Sequence, residues 1–65
     1  MITNERKAEL ETLGYYVEDM GSEYGLEFDG MYRWMNSKTD AFQDSDMSFS
    51  EDAAWIEADL YEKSL

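Results

Sequence analysis

With 65 residues the chain has room for one domain and one small core, and its 16 Asp and Glu against 5 Lys and Arg give a formal charge of -11. Such a charge repels nucleic acid and anionic membrane as direct partners and attracts basic protein surfaces. The apolar share of 43% and aromatic share of 15% are those of a folding chain and not of an acidic disordered one.

Thr3 caps a helix predicted to open at Asn4 and Glu5, where a carboxylate favours the helix dipole. Leu10, Leu13, Val17, Met20 and Tyr24 recur at spacings of three and four, a helical seam with Gly14 and Gly21 beside it. Gly25 reads as the stop, with Leu26 folding back towards Met20. Asp29 would cap a second helix carrying Met31, Trp34, Met35 and Phe42 on one face, with Lys38 interrupting its far end. The polar stretch Gln43 to Ser50 reads as a connection, Ser48 and Glu51 have capping-box spacing, and a third helix follows over Phe49 to Lys63. The expected fold is therefore all-α, a three-helix bundle forming a single domain over residues 1–65. The alternative is α+β: the first helix breaks at Gly14, and a hairpin over residues 15–28 pairs Tyr15 with Phe28 and Val17 with Leu26 across Gly21-Ser22.

The absence of Cys removes disulfides and thiol chemistry and fits an intracellular setting; the absence of His removes the commonest general base and transition-metal ligand. No apolar run approaches the roughly 18 residues of a membrane span, and Met1-Ile2-Thr3-Asn4-Glu5 lacks a basic-then-apolar signal pattern, so the expected location is the cytoplasm. Asp44-x-Asp46-x-Ser48 has the opening spacing of a calcium loop, but Phe49 stands where the turn needs Gly and Trp55 where a bidentate Glu belongs; no metal or cofactor is expected. Carboxylate pairs can serve as acid and base, yet so small a domain has little volume for a substrate pocket, and the chain is not expected to be an enzyme.

What remains is binding through acids. On helices, Glu11 and Glu18, or Asp52 and Asp59, would stand roughly 10 Å apart on one face, and phosphates of one DNA strand lie roughly 7 Å apart, so such rows can imitate a phosphate track. Trp55, among Glu51, Asp52, Asp59 and Glu62 and opposite Ala53, Ile56 and Leu60 on the helical wheel, would anchor a basic partner; in the competing reading Trp55, Ala58 and Tyr61 form the buried stripe. In size, acidity and lack of Cys and His the chain resembles the small phage-encoded inhibitors that imitate nucleic acid, including anti-restriction, anti-CRISPR and host-polymerase-inhibiting proteins. The resemblance lies in composition and in no particular residue. It implies an inhibitor that occupies the basic groove of a nucleic-acid-handling protein. The alternative is a structural or adaptor subunit, or a homodimer, docking through exposed Met20, Met31, Met35 and Trp34.

Overall fold

The computed structural model describes residues 1–21, Gly25, Glu27, 30–44 and 47–65. In chain order these form α1 (Asn4–Thr12), β1 (Tyr15–Asp19), β2 (Tyr32–Asn36) and α2 (Glu51–Lys63). The fold is α+β, and the three-helix bundle is not formed.

The capping reading of α1 holds: Thr3 Oγ1 accepts the Arg6 N–H at 3.1 Å, with Glu5 in the first turn. The helix ends at Thr12 instead of running on to Tyr24. Gly14 takes φ +102°, donates its N–H to Glu11 O and turns the chain, so the β-favouring run Tyr15-Tyr16-Val17 leaves as a strand. The seam of threes and fours breaks there, because Tyr15 and Val17 share a face at the period of a strand.

The break at Gly14 matches the α+β alternative, but the strand partner does not. β1 pairs antiparallel with β2, with Tyr15 opposite Asn36, Val17 opposite Trp34 and Asp19 opposite Tyr32. The expected partners Leu26 and Phe28, the Leu26 contact of the predicted stop at Gly25, and the predicted Asp29 cap lie outside the described residues; Gly25 itself has φ +98°. The predicted second helix is β2 and a tight return. Asn36 Oδ1 accepts the N–H groups of Lys38 at 2.8 Å and Thr39 at 3.1 Å, Asp40 sits at φ 62°, and Asn36 N–H reaches Ala41 O. Lys38 is thus a turn residue.

The return segment adds to the other edge of β2. Met35 faces Phe42 and Tyr32 faces Ser48, so three steps back along β2 match six steps forward and the pairing is not a regular ladder. The buried Gln43 side chain bridges this irregularity: Oε1 accepts the Trp34 N–H at 3.3 Å and Nε2 donates to Ser48 Oγ at 3.2 Å. Ser48 is therefore buried in the sheet and does not cap a helix. Ser50 does, accepting the Ala53 N–H at 3.0 Å, and α2 begins at Glu51.

Both helices cover one face of the sheet. Leu10, Tyr15, Trp34, Trp55 and Ala58 form the core, flanked by Ile2, Val17, Ala41 and Tyr61. The small Ala54 and Ala58, both fully buried, are the positions at which α2 meets the core. Tyr15 lies edge-on to Trp34 at 5.5 Å and to Tyr61 at 6.4 Å, and its hydroxyl donates to Glu62 Oε1 at 2.8 Å. Among the described residues, no helix is long and apolar enough to cross a membrane.

Burial, and after it the Glu62 hydrogen bond, pushes the Tyr15 phenol from 10.0 up to about 12. The folded state therefore favours the protonated phenol. Its contribution to stability is present below pH 10 and is lost as pH rises from 10 towards 12. The loss of stability over that window, followed by circular dichroism, should be shallower in Tyr15→Phe; an unchanged slope would assign the alkaline transition to other groups.

Candidate functional site

Of the thirteen described carboxylates, ten are exposed; Glu18, Asp59 and Glu62 are half-buried. Four of the five basic residues are engaged within the chain. Arg6 pairs with Asp59 at 2.6 Å and Glu9 at 3.5 Å, Lys63 with Asp59 at 3.1 Å and Lys7 with Glu51 at 3.8 Å, while Lys38 Nζ donates to Thr12 O at 2.8 Å. The Arg6 hydrogen bond, opposed by partial desolvation and reinforced by Lys63, holds the Asp59 carboxyl below its ordinary range, and the same bond raises the Arg6 guanidinium. Arg33 stands directly opposite Glu18 across the two strands. The outer surface that results is an acidic one.

The seven residues predicted to bind a partner divide into three groups. Glu51, Asp52 and Trp55 come together, with Ile2, Asn4 and Lys7, around a cleft of about 290 Å³ where α1 meets the start of α2. Asp59 and Glu62 serve internal bonds, Asp59 tying α2 to α1 and Glu62 accepting from Tyr15. Glu11 and Glu18 lie on different elements, α1 and β1, so the helical row expected of them does not exist, and Asp59 cannot continue a track from Asp52 while Arg6 and Lys63 hold it.

Trp55 requires a correction. Only 4% exposed, it is a core residue with Ala54 and Ala58, while Ile56 is half-buried and Leu60 is 55% exposed, so the competing stripe describes α2. It still lines the cleft. Lys7 Nζ lies 5.3 Å from the Trp55 ring centroid, a cation held between an indole and a carboxylate.

A second pocket, of about 220 Å³, joins residues that no sequence motif connects. Trp34, Gln43, Asp44, Glu57, Leu60 and Tyr61 line it, and the Trp34 and Tyr61 ring centroids are 4.6 Å apart. Glu57, Leu60 and Tyr61 at spacings of three and four mark one face of α2; that β2 and the return segment would bring Trp34 and Asp44 to them depends on strand pairing. Of the calcium-like run, Asp44 is at this pocket, Ser48 is bonded in the sheet, and Asp46 lies outside the described residues. Among the described residues, no three metal-ligating side chains converge.

No known protein family matches the chain, and neither a curated protein nor a solved structure does.

Proposed function

We infer that the chain is a cytoplasmic, non-enzymatic acidic binding protein that inhibits or modulates a nucleic-acid-handling protein by occupying its basic groove, in the manner of the phage-encoded inhibitors it resembles in composition. One observation carries this reading: ten exposed carboxylates face outward while Arg6, Lys7, Lys38 and Lys63 are held by partners within the chain. An exterior of that kind displaces the counterions of a basic groove much as a nucleic acid does, and its binding weakens steeply with salt. Glu11, Glu51 and Asp52 are the exposed carboxylates retained from the predicted set.

The adaptor or homodimer reading needed exposed Met and Trp. Met20 and Trp34 are buried, and Met31 and Met35 are half-buried. Its remaining support is the row Tyr16, Met35 and Phe42 across the face of the sheet opposite the helices, where Tyr16 and Phe42 are exposed.

The test is capture from a bacterial lysate on the immobilised chain, with elution along a salt gradient and competition by duplex DNA. A nucleic-acid enzyme that elutes late and is displaced by the duplex is the expected result. A captured protein indifferent to both overturns the groove reading in favour of an adaptor seated on the Tyr16–Met35–Phe42 row.

A further inference from the structure

We propose that the pocket lined by Trp34, Gln43, Asp44, Glu57, Leu60 and Tyr61 is a receptor for one arginine side chain of the basic partner. The inference rests on the groove-binding reading and names the contact that would orient it.

The molecule contains an internal precedent for this chemistry. In the cleft at the start of α2, an indole flanked by Glu51 and Asp52 takes up an ammonium, that of Lys7. The second pocket repeats the ingredients: the Trp34–Tyr61 aromatic pair in its lining and two exposed carboxylates, Asp44 and Glu57. Its lining includes no Lys or Arg. The same chemical groups thus meet a cation of the chain itself at one place and none of its own at the other.

Size and surroundings narrow the occupant. About 220 Å³ falls below the roughly 300 Å³ of usual small-molecule sites and suits a single side chain. Leu60, more than half exposed at the wall, offers apolar surface to the methylene stem of a long cationic residue. Arginine fits better than lysine, because its planar guanidinium stacks on aromatic rings, engages carboxylates through a fork of donors and is more weakly hydrated. Gln43 holds the lining in place through its bonds to Trp34 and Ser48.

The experiment is an NMR titration of the full chain with Nα-acetyl-arginine amide, and in parallel with the lysine analogue, following the Trp34 indole N–H and the Tyr61 ring. Saturable shifts at those two groups are expected, with the arginine midpoint below that of lysine. D44N/E57Q should raise the arginine midpoint about tenfold or more, whereas E5Q/D40N, with the same change in charge away from the pocket, should leave it within about twofold. Shifts spread over the acidic surface with one midpoint in all three proteins would overturn the pocket, and equal binding of lysine would overturn the arginine assignment. Lysate capture separates the two levels. A duplex-displaceable partner retained equally by D44N/E57Q removes the pocket and leaves the groove reading standing, while arginine bound at the pocket without such a partner does the reverse.

Discussion

Replacing Gly14 with alanine is expected to destabilise the domain by about 3 kcal/mol and to lower its melting temperature by roughly 12–24 °C. At φ +102° an L residue is strained by about 1–2 kcal/mol. A Cβ there would also fall 2.7 Å from Asn36 Oδ1 and 2.8 Å from Lys38 Cγ. Asn36 has little freedom to retreat, since Oδ1 accepts the Lys38 and Thr39 N–H groups and Nδ2 donates to Leu13 O at 3.2 Å. Displacing it forfeits bonds that close both the α1–β1 junction and the return after β2, at about 1 kcal/mol or more. Gly30 provides the control. It also has positive φ, at 79°, but a Cβ there meets nothing within 4 Å, so Gly30→Ala should show the backbone strain alone. Equal melting temperatures for the two variants would show that the Asn36 contact carries no weight.

Neutralising the acids at the start of α2, as E51Q/D52N, is expected to weaken capture of the proposed basic partner by about 30-fold at low salt, with the difference shrinking as salt is added. Each exposed carboxylate facing a cation at contact distance is worth about 1 kcal/mol in water, and two such losses multiply to roughly that factor. The same change removes two favourable charges from the helix N-terminus and part of the support for Lys7, at about 0.3–1 kcal/mol of stability per carboxylate, so the melting temperature should drop by roughly 2–16 °C. Binding measured well below that temperature separates the two effects. Unchanged capture would place the contact elsewhere on the acidic surface, whereas a loss that persists undiminished at high salt would speak for packing around the cleft in place of charge.

Local chemistry was the legible part of this chain. Thr3 as a cap and a helix ending at Lys63 follow from neighbours within a few residues, and the structure agrees on both, whereas the helix break at Gly14 belongs to the α+β alternative and not to the expected bundle. Where periodicity alone had to decide, it misled. Leu10, Leu13, Val17 and Met20 satisfy a helical wheel, yet Val17 belongs to a strand, since spacings of three and four over so short a run do not exclude a turn followed by a period of two. Helical spacing puts Trp34 and Met35 on one face, yet they lie on opposite faces of β2, Trp34 in the core and Met35 beside Tyr16.

By itself the sequence determined the charge of -11 and the lack of His and Cys, on which the proposed function rests. The tertiary structure alone decided which acids remain available. Asp59 is taken by Arg6 from 53 residues away and Glu62 by Tyr15 from 47 residues away, partnerships that no local spacing encodes. The burial of Trp55 and the meeting of Trp34 with Tyr61 have the same origin. Pairing β1 with β2, and β2 with the return segment, creates one apolar face that both helices must cover, and the side chains used to cover it are withdrawn from the surface.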